Sequence, residues 1–384
     1  MHYFLMAVMG AVALFWFFNV IDVARGVPKL KSLADAPPLA DADCPTVSIL
    51  FAARDEADKL PEALETMLAA DYPRYEVIAV NDRSVDATRE ILESAARRDD
   101  RLKNTRVDSL PAGWLGKPHA LQKGFERSTG EWLIFTDADV HFAPDLLRRS
   151  VALAEQQQWD HMPLFGTAKM FTIGERIALT FFALCFLLNV RPWHVSNPRS
   201  RFYAGIGAFQ LIRRSTYEAI GTHRRLAMEV VDDLKLGKLV KNGGFRSGVA
   251  KAGDAVSVHW HSGVGNIIRG TTKNFFATAH FRLWVACIQV ISILLLFVFP
   301  VAAIPFVSGW TRVFAIVATA MPMLAQAGVA MGFGVSPLYA LTMPVGALIF
   351  SWMLARSTIV TLWTGGIMWR DTFYPLEELK RGIV

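Results

Sequence analysis

The sequence predicts an α/β domain with a mostly parallel sheet, held between an N-terminal transmembrane helix and a C-terminal helical membrane region. Three observations carry this reading. Short apolar runs alternate with helical segments between 47 and 136, the pattern of a parallel sheet. No charged residue occurs between Arg282 and Arg312, and none between Arg312 and Arg356. Hydrophobic residues make up 53% and charged residues 19% of the chain, too apolar for a uniformly soluble fold.

The elements follow in order. Phe4–Ile21 is almost wholly apolar and long enough to span a bilayer. Arg25, Lys29 and Lys31 follow it, whereas only His2 precedes it, which places the next domain in the cytoplasm. A cleaved leader would need a basic stretch before the apolar core and small residues after it. Residues 1–24 are therefore read as an anchor, and 25–45 as a linker. In the domain at 46–265, Val47–Ala52 is the first strand, followed by a helix over about Lys59–Ala70. Tyr75–Val80 is a second strand, ending in Asn81-Asp82-Arg83-Ser84, with a helix over Asp86–Arg98 behind it. Trp132–Thr136 is a third strand, ending at Asp137-Ala138-Asp139. Ligands in such sheets bind beyond the carboxyl ends of the strands, where both acidic clusters fall.

Ile177–Val190, between Arg176 and Arg191, is too short to cross the hydrocarbon core. It is expected to lie in the membrane interface or to pack as a buried core helix. After a juxtamembrane segment (266–283), residues 284–369 hold about three spans: Trp284–Val307, Val313–Phe333 and Ser336–Leu354. Thr358–Trp369 is open between a further crossing and none. An odd number of spans would leave the tail (370–384, with Arg370, Lys380 and Arg381) outside, against the positive-inside tendency, and a hairpin near Arg356 would restore it.

The net charge of +6 suits a surface facing anionic lipid and anionic ligand, and no basic block of the nucleic-acid kind is present. Cys44, Cys185 and Cys287 show neither a disulfide framework nor zinc spacing, which fits a reducing compartment. A transporter would carry ionisable residues inside its spans, and here only Arg312 and Arg356 sit at span borders.

Asp137 and Asp139, two positions apart directly after a buried strand, converge as the chain leaves the sheet. They read as a divalent-metal site for Mg or Mn, or as turn carboxylates. Asp82 reads as a ligand contact or as a turn cap. Asp232 and Asp233 open a helix over Leu234–Lys241, where acids complement the helix dipole, and the same carboxylates are candidates for a base. Lys117, in Gly-Trp-Leu-Gly-Lys-Pro, is a candidate for anion contact or a solvated surface lysine.

Five motifs occur in order: Ala53-Arg54-Asp55-Glu56, Val80-Asn81-Asp82-Arg83-Ser84-Val85-Asp86-Ala87-Thr88, Gly116-Lys117, Thr136-Asp137-Ala138-Asp139 and Val231-Asp232-Asp233-Leu234-Lys235-Leu236-Gly237. Together, across roughly Val47–Gly244, they resemble glycosyltransferase family 2. In layout the chain is similar to the membrane-embedded branch with carotenoid, hopanoid-associated and ceramide-type enzymes. The resemblance implies a GT-A, Rossmann-like fold in a multi-pass protein of the bacterial inner membrane with a cytoplasmic catalytic domain. It implies inverting, metal-dependent transfer from a nucleotide-diphosphate sugar, with a bias to uridine, to a lipid or membrane-bound acceptor hydroxyl.

Residue by residue, the resemblance gives Asp82 the base or ribose of the donor, with Ala53 and Glu56 lining the same pocket, and sets Lys117 against the phosphates. Asp137 and Asp139 hold Mg or Mn, Asp139 the more directly. Asp233 is the catalytic base, and Asp232 stands where the family has Glu, one methylene shorter. Gly205-Ile206-Gly207 matches the acceptor floor, with Gly207 permitting close approach. His261 falls on the acceptor side or is structural; it and His259 are read as same-face strand neighbours. Arg269 and Lys273 stand in the place of the family's arginine-tryptophan motif, as a diverged version or a juxtamembrane basic flank. The missing motif favours a single transfer over processive polymer synthesis. A processive synthase and an inactive membrane scaffold are the alternatives.

Overall fold

The computed structural model describes residues 2–384, apart from the His2 side chain. They divide into two units. An α/β unit holds Leu30–Lys169, Pro192–His259 and Arg381–Val384, and a helical unit holds the chain up to Lys29, Met170–Arg191 and Trp260–Lys380.

The strands of the α/β unit, numbered along the chain, are β1 Lys31–Ser32, β2 Val47–Ala53, β3 Tyr75–Asp82, β4 Leu102–Val107, β5 Trp132–Asp137, β6 His141–Phe142, β7 His161–Ala168, β8 Gln210–Arg213 and β9 Ala250–Val258. They form one sheet in the order β1-β9-β7-β8-β5-β2-β3-β4, with β6 also on β9. β2, β3, β4 and β5 run parallel, and Val47 of β2 pairs with Tyr75 of β3 and Trp132 of β5. β8 is antiparallel to β5 and β7, while β7, β9 and β1 are again parallel.

The central strands are buried on both faces, as crossover helices require. Alternation along β2 sends Ile49 and Phe51 to one core with Val77 and Ile134, and Leu50 to the other with Ile78, Leu133 and Phe135. Helices Leu60–Leu68, Thr88–Ala96, Gly116–Arg127 and Leu146–Gln157 link the parallel strands and cover the sheet. Ala53, Asp82 and Asp137 therefore end adjacent strands at one edge.

The three strands read from sequence fall inside β2, β3 and β5, and the first two helices are shorter at each end than read. β1 lies within the segment read as linker. Leu33, Ala36 and Cys44 there are buried in the main core, and Arg149 donates to the Ala36 carbonyl at 2.8 Å. Two-residue strands held by a distant partner leave no periodicity to read. His259 and His261 are not strand neighbours, because β9 ends at Val258 and the two residues fall in different units.

His161 opens β7 fully buried, with Nδ1 at 2.9 Å from Ser247 Oγ and Nε2 at 3.0 Å from Gln210 Oε1. Burial pushes its pKa down to about 4, against the opposing contact with Gln210. The unfolded chain then takes up this proton before the folded one does. Its stabilising contribution is full above the unfolded pKa of about 6.5 and is lost as pH falls through about 4, amounting to about 3 kcal/mol. Unfolding midpoints taken between pH 7 and pH 4 are expected to fall more steeply for the native chain than for His161→Asn. Equal slopes would remove His161 as the cause.

In the helical unit, five helical segments among the described residues are long and apolar enough to cross a membrane: Tyr3–Lys29, Ile173–His194, Leu283–Phe306, Gly309–Gly332 and Pro337–Thr364. Pro300 explains a local irregularity. It has no N–H to give the carbonyl of Leu296, the helix widens over Leu294–Val298, and that carbonyl accepts the indole N–H of the buried Trp16 at 3.0 Å. The helix expected from Ile177 begins at Ile173, because Thr172 and Glu175 form a capping box. It closes on Arg191, whose guanidinium meets Asp22 at 2.9 Å and Asn19 at 2.8 Å. Thr358–Trp369 is not a separate helix: the helix from Met343 runs to Thr364, and Gly366–Trp369 pairs with Thr372–Pro375 in a hairpin.

Candidate active site

The loop after β2 and the loop after β3 are stitched to each other. Ser84 Oγ accepts from Asp55 N–H at 3.1 Å, Asp55 accepts from Val85 N–H at 2.8 Å, and Thr88 Oγ1 accepts from Glu56 N–H at 2.8 Å. Asp86 accepts from Ala57 N–H at 3.0 Å and Thr88 N–H at 2.9 Å. These bonds fix Ala53 and Glu56 in the same loop system as Asp82. The side chains of Asn81 and Asp86 act here as turn and cap groups, whereas Asp82 does not.

Asp82 is 3% exposed and pairs with Arg83, Nε to Oδ1 at 2.7 Å and NH2 to Oδ2 at 3.0 Å. The N-terminus of helix Gly116–Arg127 closes over it so tightly that a Cβ on Gly116 would collide with Asp82 Oδ2. Glycine is needed there for that approach. Gly116→Ala is expected to displace the Asp82 carboxylate and, at the base-and-ribose pocket proposed below, to weaken nucleotide binding about 10-fold, read by calorimetry. Unchanged affinity would remove Asp82 from that proposed pocket.

Lys117 follows Gly116, and its Nζ meets Asp137 Oδ1 at 2.5 Å. Burial works against its charge, but Asp137, and beyond it Asp232 and Asp233, hold its pKa above the ordinary lysine value. Asp139 Oδ2 meets Lys59 Nζ at 2.8 Å, and the same ammonium donates to the His259 carbonyl at 3.1 Å. Thr136 Oγ1 donates to the Ala208 carbonyl at 2.7 Å, tying the end of β5 to the segment that carries Gly207. A Cβ on Gly207 would lie 2.8 Å from Asp137 Oδ2 and 3.2 Å from Asp233 Oδ2. Asp137, Asp233 and Gly207 therefore converge on one point, brought from three separate stretches of chain.

Asp232 and Asp233 open the helix Asp232–Asn242. Asp233 Oδ1 accepts its own helix's Leu234 N–H at 2.7 Å. Burial, then the charges of Asp232 and Asp137, push its pKa up to about 6, with Lys117 and the Leu234 bond opposing. It is packed among these groups yet keeps a partly open face. Asp232 is buried behind it, with Oδ2 at 3.7 Å from His223 Nε2.

The donor set suits Mg or Mn. The carboxylates of Asp137, Asp232 and Asp233 surround the Lys117 ammonium, and that of Asp139 meets Lys59. Among the described residues no group of three or more His, Cys, Asp or Glu is placed to hold a metal ion by itself. Two carboxylates completed by phosphate oxygens and water are the usual way such a cation is held beside a diphosphate.

His261, Arg269 and Lys273 lie in the helical unit. His261 stacks on Trp260 with centroids 5.1 Å apart, Arg269 donates to Asn266 Oδ1 at 2.6 Å, and Lys273 sits 3.7 Å over the Trp369 ring. Sequence reading missed Lys59 and Arg83. Arg83 had a signal, as the neighbour of Asp82. Lys59 had none, because 80 residues separate it from Asp139.

Residues 48–161 match the model of glycosyl transferase family 2. The chain is 34% identical over 116 residues to the beta-monoglucosyldiacylglycerol synthase of Nostoc sp., covering 30% of this chain and 24% of that protein. It is 24% identical over 195 residues to the 4,4'-diaponeurosporenoate glycosyltransferase of Staphylococcus haemolyticus, covering 50% of this chain and 51% of that one. The chain thus spans about a quarter to a half of the length of these relatives. A mannosyltransferase from Pyrobaculum calidifontis, solved with GDP-Man and Mn2+, shares the fold at a TM-score of 0.53 and 20% identity, covering 94% of this chain and 99% of that one. By its strand order and these matches, the chain has the GT-A fold, and its residues 48–161 match glycosyl transferase family 2.

Proposed function

We propose that this protein transfers a sugar from a nucleotide-diphosphate sugar, with UDP-sugars as the first candidates, to a hydroxyl of a lipid or membrane-bound acceptor, with inversion at the anomeric carbon. The observation that carries the reading is the convergence of Asp137 and Asp233 on Gly207, with Lys117 bonded to Asp137. The Asp82 pocket receives the base and ribose. Lys117 and Lys59 turn from their carboxylates to the diphosphate. Asp233 takes the acceptor proton as that oxygen attacks the anomeric carbon, the bond to the diphosphate oxygen breaks, and its electron pair leaves with the nucleotide. Asp137 and Asp139 would hold Mg or Mn, which supplies positive charge opposite the leaving diphosphate. The Pyrobaculum structure with GDP-Man and Mn2+ supports this pairing of sugar nucleotide and metal, and the names of the Nostoc and Staphylococcus relatives support a lipid-type acceptor.

The test is nucleotide-diphosphate release from a panel of UDP- and GDP-sugars by the protein in lipid, with Mg or Mn. Metal-dependent release from one donor, lost in Asp233→Asn, is expected. Neither release nor nucleotide binding from any donor would overturn the reading in favour of a scaffold.

We further propose a multi-pass protein of the bacterial inner membrane with the α/β unit cytoplasmic, and its connectivity sets the parity of the crossings. β7 and β8 belong to one sheet, so helix Ile173–Val190 between them makes no net crossing. Arg381–Val384 also folds with the α/β unit, where Lys235 and Lys238 donate to the Val384 oxygen at 2.6 and 2.8 Å. Chain that leaves this unit at Trp260 and returns at Arg381 crosses an even number of times, so at least one of the three long helices between makes no full crossing. In a chain without Cys287, Lys380→Cys and Asp100→Cys are expected to react with an impermeant maleimide from the same face. Labelling from opposite faces would refute this parity.

A further inference from the structure

Behind the carboxylate pair lies a buried polar array that the reaction just described does not use. Tyr217 ends up fully buried and His223 1% exposed, packed by Phe135, whose ring centroid is 4.9 Å from each, and by Phe125, 4.7 Å from Tyr217. Tyr217 Oη lies 2.6 Å from His223 Nδ1 and accepts the His223 backbone N–H at 2.9 Å. His223 Nε2 in turn lies 3.7 Å from Asp232 Oδ2.

The tautomer follows from hydrogen-bond accounting. A buried phenol must give its proton to an acceptor. The Tyr217 oxygen is already accepting the backbone N–H, and Nδ1 is the acceptor it meets. Nδ1 therefore carries no proton, and the ring proton sits on Nε2, which faces Asp232. At 3.7 Å the ring stands beyond direct hydrogen-bond reach of Asp232 Oδ2 and offers that buried carboxylate the positive end of its N–H dipole, its direction fixed from behind by a phenol anchored by backbone and two phenyl rings.

We propose that Tyr217 and His223 are positioning residues: they lock an Nε2–H imidazole against Asp232 and so hold the Asp232–Asp233 carboxylate pair in its working geometry. This rests on the reading of Asp233 as the base. It also gives the shorter Asp232 a role, because an aspartate here meets an imidazole of the protein itself. Both side chains are buried, so their loss should lower turnover and leave nucleotide binding alone.

The experiment has two arms. In the first, kcat and KM for nucleotide-diphosphate release and the Kd for the nucleotide are measured for Tyr217→Phe, His223→Gln and His223→Asn. His223→Asn is expected to lower kcat about 10- to 100-fold with KM and Kd unchanged, as is Tyr217→Phe. His223→Gln, whose amide nitrogen reaches the place of Nε2, is expected to stay within a few fold of the native enzyme. Combined with Asp232→Asn, the effect of Tyr217→Phe should vanish, because both act through one carboxylate. Equal losses in Gln and Asn variants, additive losses with Asp232→Asn, or losses confined to KM and Kd would overturn the proposal.

The second arm needs no activity. Protein with 15N-labelled histidine, with the His223 signal assigned by its absence in His223→Gln, should show the ring proton on Nε2 and none on Nδ1. Tyr217→Phe should shift it toward the other tautomer. A ring protonated at Nδ1 in the native protein would sink the array even if sugar transfer is established. A native Nε2–H ring in a protein that releases no nucleotide would instead uphold the array and remove the assigned reaction.

Discussion

Asp233→Asn is expected to lower sugar transfer by about 10²- to 10⁴-fold while leaving nucleotide affinity within a few fold of the native value. Asparagine is nearly the same size and can still accept the Leu234 N–H that Asp233 Oδ1 accepts at 2.7 Å, so the helix start is kept. What it loses is basicity. The native carboxyl is held well above the usual aspartate range, first by burial and then by the charges of Asp232 and Asp137. A carboxylate so placed takes a proton more readily than a solvated one. Removing its charge also relieves repulsion with Asp137, so donor binding should not weaken. Measured single-turnover rates and calorimetric Kd values separate the two effects. If transfer survives, another group removes the proton and Asp233 is a structural helix-start residue. If affinity collapses with the rate, the residue belongs to the donor site.

Asp139→Ala is expected to abolish the gain in nucleotide-diphosphate affinity that Mn or Mg confers, and to lower transfer on the order of 10²- to 10³-fold. The substitution removes one of two carboxylates after β5 and releases Lys59, which Asp139 holds at 2.8 Å. A site of two carboxylates has little redundancy: losing one leaves Asp137, which already bonds Lys117. Titrating nucleotide with Mn and again with a chelator gives the answer without recourse to turnover. In the native protein the two curves should differ, and in Asp139→Ala they should coincide. Coinciding curves in the native protein would mean that Lys59 and Lys117 neutralise the diphosphate by themselves and that no divalent ion is needed.

The strands that position the site were legible because each is a mostly apolar run ending in a polar cluster. Val47–Ala52, Tyr75–Val80 and Trp132–Thr136 each had to be buried on both faces. The strand-end carboxylates Asp82, Asp137 and Asp139 were legible for the same reason, since a strand end tells which residues meet the ligand edge. β8 was not. Its four residues, Gln210–Arg213, are too short for a pattern, and their antiparallel place between β5 and β7 comes from chain that returns after an excursion of some forty residues. The linker reading of residues 25–45 missed β1 because its partner β9 lies more than two hundred residues away.

The sequence by itself determined the class of domain, the apolar segments around it, and which acidic residues fall at the strand ends and the helix start. These depend on local periodicity, on span length and on residue order within short motifs. Only the tertiary structure decided what those acids face. Lys59 reaches Asp139, Gly207 closes on Asp137 and Asp233, and His223 backs Asp232 across distances in sequence that no local pattern encodes. It also decided that Arg381–Val384 belongs to the α/β unit. Such pairings are set by how strands stack in one sheet, and hydrogen-bond and charge partners are chosen there by proximity in space rather than along the chain.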